Sequence, residues 1–546
     1  MTWQQIEASR HLLDEERGTV YKDWGGRLPI ALVFPNSYYL GMSSLAVHTL
    51  YRLWNTRDDI ACERVFTDSL QPDPGVPLSL ESGSPLDYFP VLAFSVTYEM
   101  DYFNVVSILR AGGIPLRAQE RDDTHPLVIA GGPALSANPE PLAPLLDAVL
   151  IGEIEPQFAE VTSALRNLYD SREAALQALS RIAGIYLPHH EATTASSARV
   201  VRQWLADLDS YPTHSAILTP NTEFSDMGLI EIARGCGRGC RFCLAGYGYR
   251  PPRERSAESI LAQARTLLTD TRRIGLVSAA VSDHSRINDL AIELRQLGAE
   301  LSVSSMRVDP PAEALIRALA DSGTRTLTIA PEAGSERLRQ AINKTQTEDD
   351  VLRAVDLAAR YGFGQVKLYF MIGLPTEDED DIQALVDLAL ACGERFPGRV
   401  TANLTPFVPK AGTPFQRLAQ TKAKAVKKRL DYVDRALRRQ SIGVKSESPA
   451  WAEIQGTLAR GDRQLAEALI AVERLSPGNW KKALGQAGLD LQDLLRERPA
   501  GEPLPWAFVQ SGVREAYLAR EAHRATTPRT TDPCQPEDCV ACGVCS

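Results

Sequence analysis

No stretch of the 546 residues approaches the run of about 20 apolar residues that spans a bilayer. The amino terminus, Met-Thr-Trp-Gln-Gln-Ile-Glu, lacks the charged-then-apolar pattern of a secretion signal. The expectation is a cytoplasmic protein with no membrane partner. Basic residues are not in excess: 59 Lys and Arg stand against 69 Asp and Glu, a net charge of −10. That excludes a passive nucleic-acid binder relying on a basic exterior, but not an RNA substrate met by one local patch. Cysteine is scarce outside two tight clusters that hold seven of the nine. In a reducing compartment such clusters read as metal or redox chemistry rather than disulfides. What remains is an ordinary soluble composition, long enough for about three domains with a core in each.

The first cluster is Glu231-Ile-Ala-Arg-Gly-Cys-Gly-Arg-Gly-Cys-Arg-Phe-Cys243, which puts Cys236, Cys240 and Cys243 on one glycine-rich loop after an apolar strand. Three thiolates are too few for a closed structural zinc site, unless a fourth ligand comes from elsewhere. A cubane iron–sulfur cluster held by three cysteines keeps one iron open. The Cys-x-x-x-Cys-x-x-Cys spacing, with aromatic Phe242 before the last Cys, resembles the radical S-adenosylmethionine (SAM) superfamily. The resemblance implies that the amino and carboxylate groups of SAM chelate the open iron. One electron from the cluster then splits SAM into methionine and a 5′-deoxyadenosyl radical, with Phe242 beside the cofactors.

In the amino-terminal third, Leu28-Pro-Ile-Ala-Leu-Val-Phe-Pro35 and further apolar runs at 91–96, 127–130 and 148–151 alternate with helical patterns at 42–54, 103–109 and 156–165. This predicts an open parallel α/β sheet, with ligands beyond the carboxyl ends of its strands. The residues there include Asn36 to Gly41, Ser95-Val-Thr97, Gly131-Gly132 and Gly152-Glu153. In order they resemble the motifs of flavodoxin-like or Rossmann-like cobalamin-binding domains. Tyr38 and Asn36 stand where those domains have an axial histidine and its acidic partner, so ligation of cobalt by a protein imidazole does not carry over. Ser95, Thr97, Gly131 and Gly132 are expected to cradle a cobalamin bound without that histidine. The alternative is a degenerate domain serving only as a lid.

From residue 227 onward, strand and helix alternate six times, the signature of a parallel sheet wound by crossover helices. The strands are read at 228–233, 274–281, 300–305, 325–330, 365–372 and 400–407, and they match the partial (β/α)6 barrel of radical SAM enzymes, with chemistry at the strands' carboxyl ends. By that resemblance Ser282 and Asp283 are candidates for the methionyl amine, Ser305 for the ribose and Arg307 for the SAM carboxylate. Glu332, in Pro331-Glu332-Ala-Gly-Ser-Glu336, is a further SAM contact, and Gly373 packs along adenine. Lys410 is expected near the active-site mouth, and His284 in a catalytic role. Cys62 and Cys392 are expected as buried core thiols.

A basic helix at 422–439 reads as a solvated face, and a mostly helical region follows to about residue 525. The second cluster then closes the chain: Cys534, Cys539, Cys542 and Cys545, a complete ligand set in twelve positions. Its Cys-x-x-Cys-x-x-Cys core resembles ferredoxin-type loops. A second iron–sulfur cluster, zinc and a redox dithiol all remain open, as an electron relay or as a staple.

The expected organisation is an amino-terminal segment (1–26), a cobalamin-binding-like α/β domain (27–169), a connector with a hairpin-like piece at 190–204 (170–222), a radical SAM partial barrel (223–420), a helical region (421–530) and a metal-binding tail (531–546). The whole resembles radical SAM proteins with a cobalamin-binding domain, related to methylthiotransferases. That implies cobalamin-dependent methylation of an unreactive carbon. The alternatives are methylthiotransferase-like modification of RNA or protein through a second cluster, and a non-catalytic cobalamin or iron–sulfur sensor. The substrate class (RNA, peptide or small molecule) is left open, and an electron donor such as flavodoxin or ferredoxin is implied as a partner.

Overall fold

The computed structural model describes residues 3–70, 75–190, 199–303, 306–527, 529–536, 539 and 541–545. Leu28–Val33 (β1), Ile60–Val65 (β2), Val91–Ser95 (β3), Leu127–Gly131 (β4), Ala148–Leu150 (β5) and Ile185–Tyr186 (β6) form one sheet in the order β2-β1-β3-β4-β5-β6. All neighbours are parallel except β5 and β6. The first five strands follow the flavodoxin-like order. The sheet runs past the boundary expected at residue 169: helix Arg172–Leu179 and β6 belong to it, not to a connector.

Strands β1, β2 and β3 are buried along their whole length, as a parallel sheet covered on both faces requires. Trp54, Phe158 and Val161 pack on one face. The other is covered by helix Tyr102–Ala111 and by carboxyl-terminal helices Pro449–Arg460, Leu465–Ala471 and Pro477–Gln486, through Ile454, Leu458, Leu465 and Trp480. The helices expected as a separate region therefore complete the core of the amino-terminal sheet. Periodicity shows that a helix has an apolar face but not which distant strand it covers. The segment before residue 27 is also built in, because Glu16 pairs with buried Arg64 of β2.

His48 is a core residue of this unit. Its Nδ1 accepts from the backbone N–H groups of Ala216 and Ile217, and its Nε2 lies 3.0 Å from the Met42 carbonyl. These partners fix the neutral Nε2–H tautomer. Burial, more than any neighbouring charge, pushes its pKa down to about 4. A folded pKa below the unfolded value means stability present above about pH 6.5 and lost as pH falls toward 4, up to about 3 kcal/mol. We expect His48→Gln to flatten this slope, measured by urea unfolding between pH 7 and pH 4. Equal slopes in the two proteins would contradict the assignment.

The second unit carries the expected six strands and one more. Glu300–Val303, Arg273–Val277 and Gly228–Glu231 form one parallel sheet; Thr326–Glu332, Gln365–Ile372, Arg399–Pro406 and Gly443–Ser446 form another. A parallel bridge from Met306 to Ile329 joins the two into a partial barrel. The seventh strand, Gly443–Ser446, lies in the region expected to be helical. The helices between these strands have local start signals: Ser256 caps helix Ala257–Leu267, and Thr347 with Asp350 forms a capping box. Cys62 and Cys392 are buried.

The hairpin expected at 190–204 falls partly on 191–198, outside the described residues. Val200–Val201 instead pairs in parallel with Val509–Gln510. Helix Ala423–Arg438 buries Val426, Leu430, Val433 and Leu437; Lys427 faces outward and meets Asp431 at 3.0 Å, whereas Arg429 turns in to meet buried Glu377 at 2.7 Å. Among the described residues no helix is long and apolar enough to cross a membrane.

Candidate active site

The strand Gly228–Glu231 delivers the chain to the cysteine loop at the barrel's carboxyl end. Gly235 has φ +82°, and a Cβ there would lie 2.4 Å from the Tyr249 carbonyl oxygen, so only glycine turns this corner. The loop is then pinned by its neighbours. Asn343 Nδ2 donates to the carbonyls of Arg238 and Gly239 (3.1 Å each), and Tyr247 Oη to Gly239 (2.9 Å). The Arg241 guanidinium, fully buried, donates to the carbonyls of Gln340 and Ala341 at 2.9 and 2.7 Å.

Cys240 is buried; Cys236 and Cys243 are half-buried. Burial, then the neighbouring Cys240 and Cys236, pushes the Cys243 thiol up to about 12, and burial also raises Cys236. These thiols stay protonated unless a metal takes the place of the proton. Among the described residues no group of three or more Cys, His or acidic side chains is already gathered closely enough to hold an ion. The donor set nevertheless fits a cluster: three thiols within eight positions of one loop, with a cation beside them. That cation is Arg307. Burial works against its charge, and Cys240 and Asp309 outweigh burial, so its pKa is raised.

Arg307 Nη2 pairs with Asp309 at 2.7 Å, its backbone N–H donates to Ser282 Oγ at 2.9 Å, and its buried Nε makes no hydrogen bond, with the Asp283 carboxylate 4.0 Å away. A guanidinium N–H that makes no hydrogen bond, beside Cys236 and Cys240, suits an incoming carboxylate. Asp283 is already held by Arg238 through two 2.8 Å bonds. Glu332 stands at a register shift of its strand with φ +68°, a conformation that non-glycine residues adopt at a cost and that clusters at functional sites. Lys344 Nζ lies 3.4 Å from its carboxylate. Burial raises the Glu332 pKa despite that ammonium. Ser305 lies outside the described residues.

Four other expected site residues have partners of their own. The buried His284 lies 3.0 Å from the Arg255 carbonyl through Nε2 and accepts from Arg286 N–H through Nδ1, so both ring nitrogens are spent on loop structure and the expected catalytic role fails. Lys410 does not stand free at the mouth: Nζ meets both oxygens of buried Glu99 at 2.7 Å and ties the barrel to the amino-terminal unit. Gly373 has φ +90° with Thr421 and Val426 against it, and its N–H donates to Glu377. Phe242 packs beside Phe407 and Phe415.

A mainly apolar cavity of about 370 Å³ lies between the two units. Ser95, Gly131, Gly132 and Gly152 line it from the carboxyl ends of β3, β4 and β5, and Arg234, Gly235, Tyr249 and Ser278 line it from the barrel. Thr97 does not reach it. Asn36 and Tyr38 point elsewhere, to Asp101 (2.8 Å) and Glu16 (2.6 Å). At its wall Arg234 spans the units, pairing with Glu153 at 2.7 Å, and with Glu155 and Glu231 at 2.9 Å each.

Arg238, Asp309, Asn343, Lys344 and the Arg234 cluster escaped the sequence reading because their partners lie far along the chain. Asn343, with φ +57°, had one local signal: asparagine just past a helix end tolerates that conformation.

Residues 46–188 match the family described as radical SAM proteins, N-terminal, and residues 230–389 match the radical SAM superfamily. An uncharacterised protein of Methanocaldococcus jannaschii is 32% identical over 448 residues, covering 81% of this chain and 90% of that one. An uncharacterised methyltransferase of Pyrococcus horikoshii is 26% identical over 274 residues, 48% of this chain and 57% of that one. Among solved structures, the radical SAM methyltransferase TsrM from Kitasatospora setae aligns over 69% of this chain and 72% of its own, with a TM-score of 0.47 and 14% identity. The sensor alternative falls with these matches: the chain belongs to the radical SAM superfamily and is an enzyme whose cofactors are a cubane iron–sulfur cluster and SAM.

Proposed function

We propose that this enzyme methylates an unreactive carbon with a corrinoid as methyl carrier. The observation that carries the reading is the apolar cavity running from the ends of β3, β4 and β5 to Gly235, the residue before Cys236. A Cβ added at Gly131 would meet only Leu150, at 3.6 Å, leaving room for a ligand there. Gly132 and Gly152 let the backbone fold back tightly, because a Cβ at either would lie 2.2 and 2.1 Å from Val96 and Gln203 carbonyl oxygens. No histidine lines the cavity, so the cofactor would sit there without a protein imidazole. Its volume is at the lower end for small-molecule sites, which suits one part of a large cofactor. Ser95, Gly131 and Gly132 would hold the corrinoid, which when bound supplies a transferable methyl group on cobalt.

Cys236, Cys240 and Cys243 would hold the cubane, which with SAM on its open iron supplies one-electron chemistry at the sulfonium. The chain's own part is binding and orientation. Arg307 offers its Nε, which makes no hydrogen bond, to the SAM carboxylate, and Ser282 fixes the Arg307 backbone. Glu332 and Asp283, already facing cations, are placed to exchange a partner for the SAM ammonium. Val277 and Ala279 give the cavity wall an apolar surface that excludes water. The methyltransferase name of the Pyrococcus horikoshii relative agrees with this reading.

The four-cysteine tail favours a second reading, methylthiotransferase-like modification of RNA or protein. One substitution separates the two. Anaerobic protein is mixed with hydroxocobalamin and passed through a desalting column. We expect wild type to retain a stoichiometric amount and Gly131→Leu, which fills the cavity, to lose it with unchanged far-UV circular dichroism. Wild type that retains none would overturn the corrinoid reading in favour of the second.

A further inference from the structure

The four-cysteine tail is docked on the catalytic loop. The Cys534 N–H donates to the carbonyl of Gly237, the residue after Cys236, at 2.6 Å. A Cβ at Gly237 would lie 3.1 Å from the Cys534 carbonyl oxygen, so glycine permits the close approach. Asn343 clamps the two segments together. Besides its bonds to Arg238 and Gly239, its Nδ2 donates to the Thr531 carbonyl (3.2 Å) and its Oδ1 accepts from the Thr531 N–H (2.8 Å). Arg241, the residue after Cys240, donates to the Arg529 carbonyl at 2.6 Å and faces Glu521 at 3.3 Å. One peptide unit and one hydrogen bond separate the Cys236 and Cys534 backbones, which places their Cα atoms within about 10 Å.

The tail is also polarised. Cys534 lies against the loop, and Cys542 is buried with Tyr247, Tyr517 and Leu518, where its carbonyl accepts from the Arg514 N–H. Cys545 is exposed. The Arg250 guanidinium stands over the Tyr247 and Tyr517 rings, at 4.8 and 5.4 Å, among these thiols. The four thiols fall within twelve positions of this one docked tail. A staple would need the backbone contacts at Thr531 and Cys534 and the apolar seat of Cys542. It would not need four thiols at ferredoxin-like spacing, one of them open to oxidation at the surface.

We propose that Cys534, Cys539, Cys542 and Cys545 hold a second iron–sulfur cluster that takes electrons from a protein donor at the Cys545 face and passes them to the centre on the Cys236 loop. Each transfer moves one electron: the external donor is oxidised, the tail cluster is reduced and reoxidised, and the loop centre is reduced. No atom changes hands. The inference rests on the radical SAM assignment of the Cys236 loop and is independent of the corrinoid.

The full chain is reconstituted anaerobically with iron and sulfide. Iron, sulfide and zinc are counted in wild type, in Cys545→Ala, in Cys539→Ala/Cys542→Ala/Cys545→Ala and in Cys236→Ala/Cys240→Ala/Cys243→Ala. The rate of 5′-deoxyadenosine formation from SAM is then compared with reduced plant-type ferredoxin and with titanium(III) citrate as donor. We expect about eight irons in wild type and about four in each triple variant. We expect Cys545→Ala to lose about tenfold or more of the ferredoxin-driven rate while its titanium-driven rate stays at the wild-type level. Zinc leaving with the tail, a rate that falls equally with both donors, or a rate that falls with neither overturns the relay. If the tail triple variant fails to fold, Cys545→Ala, at an exposed position, carries the test alone. Absence of 5′-deoxyadenosine from wild type with titanium(III) citrate would instead overturn the assignment of the loop.

Discussion

Alanine at Cys236, Cys240 and Cys243 together reduces 5′-deoxyadenosine formation to that of a protein-free control and removes about four irons per chain, while the far-UV circular dichroism is unchanged. The separation of effects follows from how the loop is held. Asn343, Tyr247 and the buried Arg241 satisfy its carbonyls and fix its path without the thiols. The cysteines are thus free to be ligands, and the raised pKa values of Cys236 and Cys243 are a consequence of burial that metal binding reverses. Loss of folded structure in the triple variant would show that the centre is structural. Retained cleavage would show that the site lies elsewhere.

Arg64→Met destabilises the protein by about 3–5 kcal/mol, because it leaves two buried carboxylates without a countercharge. The Arg64 guanidinium is wholly buried and serves two of them: Nη1 and Nη2 meet Glu16 at 2.7 Å each, and Nε meets Glu81 at 2.7 Å. Through Glu16 it fastens the segment before residue 27 onto β2. Urea unfolding measures the loss. Arg64→Met combined with Glu16→Leu and Glu81→Met is expected to recover most of it, since a buried ion group replaced as a whole by apolar residues of similar volume is often neutral. A loss below 1 kcal/mol in the single variant would contradict the picture of an obligate buried triad.

The fold was legible where patterns are local. Apolar runs bounded by Pro and Gly located four of the first five strands of the amino-terminal sheet, missing β2, and six of the barrel. Cysteine spacing singled out the loop at 236–243, which the radical SAM match covers. What could not be read were meetings between distant segments. Gly443–Ser446 is four residues long, too short to announce itself as a strand, and it forms because Arg399–Pro406 offers an open edge. Helices 449–486 have apolar faces whose destination, the amino-terminal sheet, lies more than 260 residues earlier. Arg307 and Glu332 were singled out because they follow strands at the active end, and their roles toward SAM are part of the proposal. His284 and Lys410 were misread by the same rule. A residue at a strand's end can equally be spent on the loop carbonyls beneath it, as His284 is, or on a neighbouring unit, as Lys410 is with Glu99.

The most direct measurement of the central claim is electron paramagnetic resonance of the reduced Cys539→Ala/Cys542→Ala/Cys545→Ala protein, in which only the loop centre remains, recorded with and without SAM. The account predicts a cubane signal whose g values shift when SAM is added, as an open iron gains the amino and carboxylate donors of its ligand. A protein without a paramagnetic centre, or a signal that SAM leaves unaltered, would contradict it.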